Sequence, residues 1–241
     1  MFRRPGTNRF SATFQAGLVL GLLLGTLPIQ AVSAQTAVSF PTMDGGMVYA
    51  DLYGEGGRGV VLVHGGRFNK ESWAGQVPAL VGAGFRVLAI DLRGYGRSRG
   101  GNTLKAGDDG FRYDVLAAVR YLHRQGAAKV SIIGGSMGGG AAAEAAVEAR
   151  PGEIDGLVLL AHSAIDHPER MQGRKFFIVA RGDTFANGRP RLTRIREQYE
   201  KAPGPKRLLV LDGSAHAQYV FDTAEGETTM SEIVEFLGGE Q

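Results

Sequence analysis

Short apolar runs recur along this chain, each closed by a glycine-rich or polar corner and followed by a stretch of helical periodicity. The runs predict strands near residues 48–53, 60–63, 86–90, 129–133, 157–161, 175–180 and 207–211, with a weaker one at 37–40. Most are rich in β-branched residues and show little in–out alternation, the pattern of strands covered on both faces. Between them the sequence predicts helices over 73–81, 111–125, 137–149, 192–199 and 228–237. Residues 141–149 are almost wholly alanine and glutamate, both strong helix formers. Alternation of strand and helix is the sequence mark of βαβ units and a largely parallel sheet. No internal repeat or low-complexity tract interrupts the pattern, and 35–241 is long enough for one sizeable core in one domain.

Residues 1–34 follow a different pattern. Arg3, Arg4 and Arg9 give a positive start, 16–29 is apolar apart from Thr26, and Val32-Ser33-Ala34 offers small residues for cleavage. This is the layout of a secretory signal peptide cut after Ala34, placing the mature protein outside the cytoplasm, secreted or periplasmic. The alternative is an uncleaved anchor, although the apolar run is short for a membrane span. The leader also explains the charge. The chain has 27 Lys and Arg against 24 Asp and Glu, and removing the leader's three arginines leaves 24 against 24. The basic excess disappears with the leader, so it is not read as a nucleic-acid footprint. The local cluster 189–196 reads as a solvated helix face. With no cysteine, neither lipid attachment through a thiol nor disulfide stapling is available, and an exported domain of this size relies on its core.

The candidate chemistry lies at the corners after the strands. Gly134-Gly135-Ser136-Met137-Gly138 fits Gly-x-Ser-x-Gly, between the run 129–133 and the helix 137–149, and so reads as a strand–turn–helix nucleophile elbow. A serine hydroxyl needs a general base, an acid to orient that base, and donors for an oxyanion. Asp183 follows the strand 175–180 and His216 follows 207–211, so both are placed at the carboxyl edge of the sheet with Ser136. The chain order Ser136, Asp183, His216 is that expected of a triad on such a sheet. Asp166, after 157–161, is the competing acid. Among the other histidines, His64 shapes the loop after 60–63, His123 falls within a helix, and His162 and His167 flank a strand end from which they can line a pocket. His64-Gly65-Gly66-Arg67 supplies one oxyanion donor, the N–H of Gly66 or of Arg67, and Met137 supplies the second at a helix N-terminus.

These separated motifs, with Asp91-Leu92-Arg93-Gly94-Tyr95-Gly96-Arg97-Ser98, resemble those of the α/β-hydrolase family over residues 47–237. The resemblance implies a mostly parallel sheet of about eight strands, the second antiparallel, with helices on both faces. The 91–98 stretch would then be a structural loop in which Arg93 and Ser98 bond its neighbours. Many members of the family carry a cap between the strands here placed at 157–161 and 175–180, but only 163–174 is available, so no sizeable cap domain and an open site are expected. Trp73, Phe68, Met137 and Tyr219 are candidate pocket residues, Trp73 serving equally well as packing. The expected function is cleavage of a small carboxylic ester by a serine hydrolase, with no metal or organic cofactor, no nucleic-acid partner and no stable membrane association after the leader is cut. Amide cleavage, acyl transfer and a non-catalytic binding module on the same fold are the alternatives.

Overall fold

The computed structural model describes residues 1, 2, 6, 35–101 and 108–239. The signal-peptide reading lies outside the described residues, apart from Met1, Phe2 and Gly6. Among the described residues, the strands and helices lie within 35–239.

Eight strands form one sheet: β1 (Thr36–Pro41), β2 (Met47–Tyr53), β3 (Arg58–Val63), β4 (Phe85–Ile90), β5 (Lys129–Gly135), β6 (Gly156–Leu160), β7 (Arg174–Ala180) and β8 (Lys206–Leu211). Their spatial order is β1-β2-β4-β3-β5-β6-β7-β8. β2 runs antiparallel to both β1 and β4, and every pairing from β4 to β8 is parallel. The helices are α1 (Val77–Gly82), α2 (Phe111–Arg124), α3 (Met137–Glu148), α4 (Arg191–Lys201) and α5 (Gly226–Gly238).

The order fixes where the helices lie. From β3 the chain steps through α1 to β4 on one side, then returns through α2 past β3 to β5 on the other. Right-handed crossovers in opposite directions put α1 and α2 on opposite faces. α3 and α4 step the same way as α2 and share its face; α2 packs on α3, while α1 touches α5. Strands sandwiched in this way have no solvent-facing side, which is why Val60, Val61, Leu62 and Val63 are all fully buried and β6 and β7 are buried throughout. β1, at the edge, buries Phe40 against the Tyr121 ring of α2 and leaves most of its residues exposed.

One predicted helix is divided. Periodicity predicts a single helix over 73–81, whereas the chain makes a 3-10 turn at Lys70–Trp73 and begins α1 only at Val77. Gly75 lies in the break and Pro78 occupies the first turn of α1, where its missing N–H costs nothing. Trp73 therefore ends a turn rather than opening a helix. It is fully buried edge-on to Phe221, so it packs in the core and does not wall a pocket. Between β6 and β7 there is only a loop with the turn Pro168–Arg170, and no cap domain is present among the described residues.

Candidate active site

Because the chain leaves β3 toward one side and β5 toward the other, the carboxyl ends of these adjacent strands part into a crevice, the topological switch point of the sheet. β3 and β5 end in register, Val63 beside Gly134. The loops at this crevice are His64–Phe68 and the turn around Ser136.

Ser136 has φ 52° and ψ −117°, a conformation rare for a residue with a side chain and worth about 1–3 kcal/mol of strain. Its neighbours allow no alternative. A Cβ on Gly134 would lie 2.6 Å from the Gly138 carbonyl oxygen, and one on Gly138 would lie 2.3 Å from that of His64. The Ser136 N–H donates to Leu160 O at 2.9 Å, and its carbonyl accepts from Gly140 and Ser163. Thus β6, α3 and the loop after β6 hold the turn, leaving the hydroxyl half-exposed at the crevice.

His216 follows β8 in a loop that leads into the 3-10 turn Ala217–Asp222. Its Nε2 lies 2.8 Å from Ser136 Oγ and its Nδ1 2.7 Å from Asp183 Oδ2. A carboxylate only accepts, so Nδ1 carries the proton toward Asp183 and Nε2 is left to accept from the serine. Asp183, 3% exposed, leaves β7 through a tight turn in which its N–H donates to Ala180 O. Its second oxygen faces Arg191 Nε at 3.3 Å. The structure thus brings Ser136, His216 and Asp183 into one hydrogen-bonded line. Asp166 is exposed beside Asp108 and His167 in a different groove, away from this line.

The remaining histidines are otherwise engaged. His64 is fully buried; Leu92 N–H donates to its Nε2, so its Nδ1–H donates to Gly65 O, and burial holds the ring below the usual histidine pKa. His123 bonds the carbonyls of Ala127 and Glu153. His167 is exposed beside Glu169. His162, expected to line a pocket, is instead buried edge-on to Phe177.

The loop after β3 shows which donors are free. Gly65 N–H donates to Gln218 Oε1, and Phe68 N–H to Gly65 O. Those of Gly66 and Arg67 have no acceptor among the described residues, and Met137 N–H, at the first position of α3, has none within its helix. Three N–H groups without an acceptor among the described residues thus lie on the loop after β3 and at the start of α3, two of them on that loop. The 91–98 loop braces that loop from outside. Tyr95 Oη donates to Gly66 O at 2.9 Å, Lys70 N–H donates to Asp91, and Ser98 Oγ accepts from Tyr49 N–H. Arg93 bonds both Asp44 and Asp114, reaching α2 as well as a loop. At the mouth, the Phe68 and Tyr219 rings lie 5.0 Å apart, and Met137 Sδ stands 4.0 Å from Tyr95 Oη.

Sequence reasoning misses Gln218 and Arg191. Gln218 accepts from Gly65 and donates to Ser72 Oγ, linking the His216 loop to both sides of the loop after β3. Its place two residues after His216 is the available signal. Arg191 gives none, because its partnership with Asp183 arises only when the 183–191 excursion folds back on itself.

A doubly covered sheet with a strained serine turn at its switch point defines a hydrolase of the α/β class. The model of the alpha/beta hydrolase fold family matches residues 59–208, more than half of the chain, and the chain belongs to that family. It is similar to epoxide hydrolase B of Mycobacterium tuberculosis, 43% identical over 81 residues, which are 33% of this chain and 22% of that protein. It is also similar to the pimeloyl-[acyl-carrier protein] methyl ester esterase of Edwardsiella ictaluri, 36% identical over 110 residues, 46% and 38% of the two chains. The matches thus span well under half of these curated relatives. Among solved structures, an esterase of Pyrococcus furiosus has a TM-score of 0.68 at 19% identity, over 86% of this chain and 92% of that one. An esterase of Exiguobacterium antarcticum has a TM-score of 0.68 at 16% identity, over 85% and 100%. At these identities the likeness is one of fold.

Proposed function

We propose that this protein is a serine hydrolase that cleaves small carboxylic esters through an acyl-enzyme on Ser136. The observation that carries the reading is the line of hydrogen bonds from Ser136 Oγ through His216 to Asp183 at the switch point. In the proposed cycle His216 Nε2 takes the serine proton as Oγ attacks the carbonyl carbon. Asp183 keeps the imidazole in the tautomer that can accept and stabilises the imidazolium that forms. The tetrahedral oxyanion is met by Met137 N–H and by that of Gly66 or Arg67. His216 then protonates the departing alcohol, and water, activated by the same imidazole, releases the acid.

Relatives of this chain carry names as different as epoxide hydrolase, methyl ester esterase and non-heme chloroperoxidase. A hydroxyl nucleophile together with backbone donors that have no acceptor among the described residues favours acyl chemistry among these, since such donors meet charge that develops when a carbonyl is attacked. The test is labelling of the purified protein by a fluorophosphonate probe. Ser136→Ala is expected to abolish labelling and ester turnover while the circular dichroism stays unchanged. Asp183→Asn is expected to lower kcat by about 10⁴-fold. Strong labelling of the serine variant would place the nucleophile elsewhere.

The export reading belongs to the same proposal. β1 begins at Thr36, after the predicted cut, so removing 1–34 takes no residue from the sheet. Intact-mass measurement of exported material is expected to give a chain starting at Gln35; retention of 1–34 would favour an anchor.

A further inference from the structure

The excursion between β7 and α4 does more than deliver Asp183. It folds back through Arg191 N–H to Asp183 O and Phe185 N–H to Arg189 O, and with the loop after β6 it encloses a groove of about 460 Å³. Ser163, Phe185, Arg189, Arg191, Arg194 and Glu197 are among its lining residues. The cluster that reads in sequence as a solvated helix face is therefore divided: 191 and 194, one helical turn apart, face a concavity together with 189 from the preceding loop.

The charges in this groove are unequal. Arg191 is held in place, its Nε against Asp183 and its guanidinium 4.1 Å over the Phe185 ring, while its two terminal nitrogens bond no acceptor among the described residues. The side chains of Arg189 and Arg194 likewise make no hydrogen bond or ion pair there, and Glu197 is the one acidic residue among the described residues that line the groove. Two guanidinium groups without partners among the described residues, in one groove with a third that is already oriented, offer planar forked donors suited to an oxyanion. Two of the groove's lining residues also touch residues of the hydrogen-bonded line at Ser136. Ser163, on its wall, donates its N–H to Ser136 O at 2.9 Å, and Arg191 touches the carboxylate that orients His216.

We propose that this groove is the subsite for an oxyanion carried by the substrate, so that the preferred esters bear a carboxylate or phosphate on the part of the molecule directed away from the reacting carbonyl. The proposal rests on the ester-hydrolase reading of Ser136 and narrows its substrate class. Arg191 fixes the inner end of the subsite, and Arg189 and Arg194 supply the charge that selects the anion.

The experiment compares kcat/KM of the full chain on monomethyl adipate and on neutral methyl hexanoate, followed by proton release. The half ester is expected to be favoured by about tenfold or more at low salt, chiefly through KM, as a charge-assisted contact implies. In Arg189→Gln/Arg194→Gln the ratio of the two esters should fall toward one, and in Arg189→Lys/Arg194→Lys it should largely persist. Because the readout is a ratio within each variant, a general loss of fold does not imitate it. Competitive inhibition of methyl hexanoate hydrolysis by adipate and by inorganic phosphate distinguishes the two sources of oxyanion. A ratio near one in the unaltered chain, or a preference retained in the double glutamine variant, overturns the proposal. If neither ester is cleaved, fluorophosphonate labelling decides the reading of Ser136, and adipate binding by calorimetry tests the groove alone: binding lost in the double glutamine variant supports it, and no binding overturns it.

Discussion

At the scale of single residues the site depends on side chains that never approach a substrate. Gln218 joins three loops through two hydrogen bonds, to Gly65 N–H and to Ser72 Oγ, and is nearly buried. Gln218→Leu would leave both groups without that partner and let the loop bearing the Gly66 and Arg67 donors shift. Oxyanion donors act only when held at the right distance, and loss of one costs about 10²–10³-fold in kcat. A displaced loop should therefore lower kcat by about tenfold with KM changed little, and Gln218→Glu, which keeps the acceptor, should recover part of it. Steady-state kinetics on one ester checks this, and an unchanged kcat in the leucine variant would show that the loop holds itself.

At the scale of elements, the consequential feature is the short connection between β6 and β7. With one 3-10 turn at Pro168–Arg170, this connection builds no apolar roof over Ser136. Burial contributes about 0.8 kcal/mol for each methylene actually covered, so a long acyl chain gains little once it extends past the Phe68–Tyr219 pair. Across neutral esters of increasing acyl length, kcat/KM should level or fall beyond a few carbons, without activation at an oil–water interface. A steady rise through long chains would mean that the loops at the mouth close into a tunnel. The same scale shows why the helix predicted over 73–81 is divided. Periodicity alone does not register that Trp73 closes a separate turn, whose first N–H, that of Lys70, is accepted by Asp91.

For the whole molecule, stability should depend on two buried groups with depressed pKa values. Burial pushes His162 down to about 4, and Gln198, its polar neighbour, spends its amide on the backbone of Ile165. The unfolded chain takes up a proton near 6.5 that the folded chain refuses until about 4, so stability is full above the unfolded value and is lost as pH falls through that interval. The loss is about 3 kcal/mol at 1.36 kcal/mol per unit. Asp44 adds a second, more acidic step. Burial would raise its pKa, but the bonds from Arg93 and Thr42 bring it down to about 2, so its contribution is present above about 4 and is lost toward 2. Urea unfolding at several pH values should show a decline between 6.5 and 4 that flattens in His162→Phe, whose ring can keep the contact with Phe177. A decline as steep in the variant would assign it to other groups, His64 first.

The sequence by itself determined the strands, most of the helices and the places where chemistry could sit, because each of those is a local property. A fully buried strand such as β3 must be apolar without alternation, and a turn as tight as that at Ser136 needs glycine where backbone oxygens stand under 3 Å from any Cβ. Chain order then sufficed to name Ser136, Asp183 and His216 as candidates. What only the tertiary structure decided was partnership. Asp183 rather than Asp166 stands beside His216 because β7 and β8 are neighbours, and their loops meet at one edge of the sheet. The same closure removed His162 and Trp73 into the core and assigned Gln218 to the loop after β3. It also turned three arginines of a charged stretch toward a common groove. Contacts between groups dozens of residues apart follow from strand order and crossover hand, and no window of sequence holds that information.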